Sequence, residues 1–304
     1  QVLYITLTSL GRFFIIPWRP SLKINFAPIR KMFSFSYKIL ITTVVNIVSQ
    51  NLLTFIFGRL YTANAVGNFS QAFKWDTMAS TMISGTTSQV AQPVLAEVKL
   101  ETERQVTVFR KMLRFTAFLA FPAMFGLSMV AHEFIIVLIS DKWADSIPLL
   151  RILCISGAFL PFYTLYQNLM ISRGKSDVYL WITTSLIAVQ LLLVLLCYTK
   201  GMIFMVSAYT VATVLWLFVW QVFAYREISI RLYDVLCDII PYMFISAVII
   251  IAVYFATSGI QNLIVLLLTR IILAIAAYFI TMKLLGFKIL DECINYLFHK
   301  KIKS

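Results

Sequence analysis

Ser70, Lys74, Thr77, Thr81, Ser84, Ser88 and Gln92 recur at alternating intervals of four and three. In a helix that spacing sets them in one polar stripe. Hydroxyls, an amide and an ammonium can hydrogen-bond a polyol and meet a phosphate as a point charge. The preceding stretch repeats the pattern more weakly with Thr43, Asn46, Gln50 and Thr54. Asp76 lies two residues beyond Lys74, on roughly the opposite face, so the two cannot pair along that helix. It pairs with a neighbouring helix or serves as a coupling-ion site. Arg270 is a further charge inside an apolar segment, where an arginine must face protein or a cavity, or thin the bilayer.

The elements that position these residues are membrane spans. Of 304 residues 61% are hydrophobic and 13% charged, with a mean hydropathy of +0.87. Those values fit an all-α polytopic membrane protein and exclude an ordinary soluble domain. A span needs about 20 mostly apolar residues. Full spans are expected at 37–58, 68–94, 113–139, 149–171, 178–198, 202–224, 239–257 and 261–285. Residues 1–16 read as the end of a further span, and the simplest reading of the start is a missing N-terminal part.

The net charge of +13 would suggest nucleic acid in a soluble chain. Here the basic residues flank spans, so orientation and anionic lipid headgroups account for them and no nucleic acid is expected. Nineteen of the 26 Lys/Arg fall on alternate connections, including Lys99–Arg114, Arg173/Lys175 and Arg226/Arg231. The other connections carry only Arg59, Lys142 and Lys200. The rich side, with the basic tail 286–304, is expected in the cytoplasm. Residues 17–36 and 225–238 read as amphipathic cytoplasmic linkers.

Each polar position has two readings. Serines and threonines at packed interfaces join helices, which suits Ser84 and Ser88. Large or charged groups are costly against lipid, which favours a cavity for Asn46, Gln50 and Lys74. Lys74 lies about 9 Å inside the outer end at 1.5 Å per residue; its alternative is snorkelling to the interface. Trp75, Trp143, Trp181, Trp216 and Trp220 read as interface anchors, and Glu133 beside His132 as interfacial. Pro122 and Pro161 are expected to bend their spans. With two distant histidines and four scattered cysteines, no metal, cofactor or catalytic constellation is expected.

Four stretches carry a family resemblance: residues 31–80, 94–131, 138–157 and 166–180. Their motifs are GRL followed by VGNFSQA, then KWADSIPLL, then NLMISRGKSD. In this order they resemble the polysaccharide repeat-unit flippases of the MATE-like exporter superfamily, closest to the colanic-acid and lipopolysaccharide branch. The resemblance implies a C-terminal six-helix lobe over 37–224, an extra helix pair over 239–285, and an absent N-terminal lobe. It implies transport of undecaprenyl-pyrophosphate-linked oligosaccharides across a bacterial inner membrane by alternating access. Partners would be that lipid, membrane lipids and the polysaccharide polymerase machinery. On this plan Lys74 and then Arg270 would meet the pyrophosphate. Asn46, Gln50, Ser70, Thr77 and Thr81 would meet sugar, and Asp76 would couple an ion. A membrane polymerase or ligase, a drug-cation exporter and a non-transporting scaffold are the alternatives. The exporter would place acidic rather than basic residues in the cavity.

Overall fold

The computed structural model describes Thr6, residues 27–287 and Ile289, apart from the side chains of 27–32, 34, 35 and 50–55. The expected partial span at 1–16 lies outside these residues except for Thr6, as does most of the 286–304 tail. Two compact units divide the chain at residue 37. In the first, Phe33 and Tyr37 set their rings 5.8 Å apart on the opening turns of the first described helix. The second unit, residues 38–304, holds the helical bundle.

The described chain is helical throughout: α1 Ala27–Leu60, α2 Ala63–Glu97, α3 Thr102–Met129 and the short α4 Ala131–Phe134. There follow α5 Ser146–Gly157, α6 Leu160–Ser172, α7 Ser176–Cys197, α8 Met202–Ile228, α9 Leu232–Ala256 and α10 Leu263–Leu284. Among the described residues, six segments are long and apolar enough to cross a membrane: α3, α5 with α6, α7, α8, α9 and α10. The chain is an all-α polytopic membrane protein. α2, at 35 residues, reaches about 50 Å at 1.5 Å per residue and exceeds a bilayer core. Its hydroxyl-rich face is what sets it apart from the six.

Local chemistry defines the helix ends. At the start of α2 the Thr62 hydroxyl accepts from Ala65 N. At the start of α10 the Asn262 side-chain oxygen accepts from Ile264 N and Val265 N. Each cap satisfies donors that the first helical turn leaves open. The expected single span at 149–171 is two helices, broken at Ala158–Phe159 with Pro161 opening α6. The stretch 225–238 is mostly the end of α8 and the start of α9, with left-handed Ser229 between them.

Side-chain bonds gather the connections at two ends. At one, the Tyr61 hydroxyl donates to Tyr198 O at 2.9 Å. There too a Cβ on Gly67 would sit 3.2 Å from the Trp143 ring, so two of the sequence motifs meet. At the other, Arg173 donates to Lys99 O and Glu227 O, both at 2.9 Å, and to Thr102 Oγ1 at 3.3 Å. Lys175 pairs with Glu227 at 3.2 Å. Left-handed Gly174, with φ of 76°, turns the chain between these two cations, a conformation glycine adopts without steric cost. Among the described residues, the basic-rich connections at 98–101, 173–175 and 229–231 and the basic-poor ones at 61–62, 140–145 and 198–201 thus lie at opposite ends of the bundle.

The α9–α10 pair is fastened to α3 along its length. Arg110 Nε donates to Asp238 Oδ2 at 2.6 Å and Arg110 Nη1 lies 3.3 Å from Asp234, while Arg114 approaches Asp238 at 3.5 Å. Midway, the Tyr278 hydroxyl donates to Phe118 O at 2.9 Å. At the far end Arg270 Nη1 donates to Glu133 Oε1 at 2.7 Å and Arg270 Nε to Thr257 Oγ1 at 3.1 Å. The Arg270 guanidinium also lies over the Tyr254 ring, 4.7 Å from its centroid.

Candidate functional site

Helices α1, α2 and α5 to α8 enclose a cavity of about 400 Å³. α1 supplies Asn46 and Ser49, and α2 supplies Asp76, Thr77, Ser80, Thr81 and Ser84. Opposite stand Ser156 at the end of α5, Tyr163, Thr164 and Gln167 of α6, Thr183 and Gln190 of α7, and Tyr209, Thr213 and Trp220 of α8. The lining is hydroxyls, amides and aromatic rings interspersed with Leu160, Leu186 and Ile187, with Asp76 its one charged residue among the described residues.

Part of this lining is locked. Gln190 Nε2 donates to Thr213 Oγ1 at 3.1 Å, and the Tyr163 hydroxyl donates to Thr213 O. The Ser156 and Thr210 hydroxyls lie 3.4 Å apart. Three buried lining atoms have no hydrogen-bond partner: Asp76 Oδ1, Trp220 Nε1 and Thr183 Oγ1. A buried polar group left unpaired is costly, so these atoms mark the wall behind the cavity as polar beyond what packing requires. Asp76 is 2% exposed, yet no basic group stands within ion-pair distance of it among the described residues. Gly157 makes room for it, since a Cβ there would overlap Asp76 Oδ1 and Met124 Cε.

The expected site residues divide. Asn46, Thr77, Thr81 and Asp76 share the cavity. The Gln50 side chain lies outside the described residues. Ser70 is exposed and does not line it. Lys74 is also exposed, with Nζ 5.6 Å from the Trp75 ring centroid. The cavity face of α2 runs through Phe73, Ser80 and Ser84, and Lys74 follows Phe73 by about 100° round the helix. Arg270 is a buried structural cation paired with Glu133, because a charge that deep is stable only with a partner. Glu133 is accordingly buried, not interfacial. Trp220, expected as an interface anchor, is a buried wall of the cavity. Ser88, expected as helix-joining, does that work by accepting from Asn168 Nδ2 at 3.1 Å.

The α7 and α8 wall is not among the expected site residues. Its signal is present but sparse: Thr183 and Gln190 are seven apart, and Tyr209 and Thr213 four apart, within otherwise apolar helices.

A family model described as "Polysaccharide biosynthesis protein" matches residues 1–148. The chain is 24% identical over 161 residues to the lipopolysaccharide biosynthesis protein WzxC of Escherichia coli K12, covering 53% of this chain and 33% of that protein. It is 26% identical over 160 residues to the teichuronic acid biosynthesis protein TuaB of Bacillus subtilis 168, covering 53% of this chain and 33% of that one. The resemblance to polysaccharide repeat-unit flippases of the MATE-like superfamily is borne out. The matched part spans about a third of the length of these curated relatives. The fold is similar to a solved structure of the lipid II flippase MurJ in an inward closed conformation. The TM-score is 0.61 at 15% identity, over 92% of this chain and 61% of that one.

Proposed function

We propose that the chain is the C-terminal lobe and terminal helix pair of a transporter for undecaprenyl-pyrophosphate-linked oligosaccharide repeat units in a bacterial inner membrane. The carrying observation is the cavity: hydroxyls, amides and aromatic rings, with a few aliphatic side chains, enclosed by helices whose outer faces are apolar. Such a lining suits a sugar, which offers many donors and acceptors and an apolar ring face. The lining holds no cation for a pyrophosphate among its described residues, so the charged part of the substrate is read as meeting the other half of the cavity. Alternating access by rocking of two lobes and basic connections on the cytoplasmic side complete the reading.

Asp76 is the coupling-ion site of this reading. Its carboxylate is buried, unpaired and at the cavity wall, where a proton or a monovalent cation neutralises it. The same residue supports a second reading, a small-cation exporter of the same superfamily, for which an acidic cavity is the expected sign.

The test is restoration of surface polysaccharide in a flippase-null bacterium by the full-length gene, with Asp76→Asn in parallel. Rescue by the wild type alone, at equal membrane levels, is expected. Failure of the wild type to rescue, together with efflux of small organic cations, selects the exporter instead.

A further inference from the structure

A second cleft, of about 360 Å³, lies between α3 and α9 on the outer surface of the bundle. Phe125 and Met129 form one wall, and Ile250, Ile251 and Phe255 the other. Ile251 and Phe255 are largely exposed, as expected of side chains that face lipid.

One edge of this apolar cleft carries Arg151 of α5. It lies about 8 Å inside the helix start at 1.5 Å per residue. Its main-chain oxygen accepts from Ser128 Oγ at 3.4 Å, which joins α5 to α3 beneath the side chain. The guanidinium is exposed and has no ion-pair partner among the described residues. Three acids stand at this end of the bundle among the described residues: Asp141 and Asp145 make no ion pair with Arg151, and Glu133 is held by Arg270, whose stacking partner Tyr254 also lines the cleft.

An unpaired arginine beside an acyl-sized apolar slot matches one ligand chemistry. We propose that this cleft seats an anionic phospholipid, its phosphate on Arg151 and one acyl chain along Phe125, Ile250 and Ile251. A guanidinium binds phosphate through two parallel donors, and the slot supplies close contact for the chain. The site is separate from the polar cavity and does not depend on what that cavity carries.

Native mass spectrometry of the full-length protein, loaded with phosphatidylglycerol or phosphatidylcholine, tests this. The wild type is expected to retain one phosphatidylglycerol under activation that strips phosphatidylcholine. Arg151→Gln should lower that retention about fivefold, the share of one arginine at an anionic lipid surface. Ala247→Trp, which fills the apolar half, should lower it as well, whereas Lys142→Gln should not. Equal retention of the two lipids, or wild-type retention by both Arg151→Gln and Ala247→Trp, overturns the proposal. So does preferential displacement of phosphatidylglycerol by an equal amount of undecaprenyl phosphate.

Discussion

Arg270 and Glu133 meet at 2.7 Å with each side chain only 5% exposed, and they join α10 to the turn after α3. Removing one partner of a buried pair strands the other charge. Glu133→Ala should therefore destabilise the full-length protein by about 3–5 kcal/mol, read as a lowered melting temperature in detergent. Replacing both residues with methionine should recover most of that loss, because the desolvation cost of both charges disappears.

Asp76→Asn and Lys74→Ala separate the cavity face of α2 from its outer face. Lys74 is exposed beside Trp75, so Lys74→Ala should restore surface polysaccharide at the wild-type level. Asp76→Asn keeps the shape but removes the charge at the wall, and should abolish restoration at equal membrane abundance. Loss of function in Lys74→Ala would return the ammonium to the substrate path.

Gly157→Ala places a methyl where Asp76 Oδ1 and Met124 Cε already are. Overpacking of this kind costs about 1–3 kcal/mol and shifts the neighbours. Reduced polysaccharide restoration and a lower melting temperature are expected. Gly85→Ala on α2, with nothing within 4 Å of the new Cβ, is the control: it should leave restoration unchanged and should not lower the melting temperature, since alanine is the better helix former.

Asp238 receives Arg110 and Arg114 from α3 at the end of the bundle opposite Glu133. Arg110 is a third exposed, which weakens the pair through solvent screening. Asp238→Ala should cost about 1–2 kcal/mol, less than Glu133→Ala, in the same melting experiment.

Much of this architecture is legible in the sequence because its causes are local. Alternation of Lys/Arg clusters follows from how each connection is sorted at a membrane, and the side-chain bonds of Tyr61 and Arg173 gather the same two sets at opposite ends. The polar period of α2 is legible for the same reason, and Thr77 and Thr81 do reach the cavity. Periodicity gives the spacing of a stripe but not which edge of it faces inward. That is why Lys74 and Ser70 read as cavity residues while Ser80 and Ser49 do not stand out. Arg270 illustrates a different limit. Its partner Glu133 lies 137 residues away, and no local pattern records a pair of that separation. Trp220 misleads because a tryptophan near a span end has the same sequence appearance whether it faces headgroups or a cavity.

The fastening of α9 and α10 to α3 has a mechanical side. Bonds at Asp238, Tyr278 and Arg270 hold the pair at its two ends and its middle. In the rocking proposed above, a tilt of α3 would carry three helices through the bilayer as one paddle, and the lipid displaced per stroke would grow with that width. Membrane viscosity would then be a drag on that proposed motion, and stiffer, more ordered bilayers should slow transport by the full-length protein.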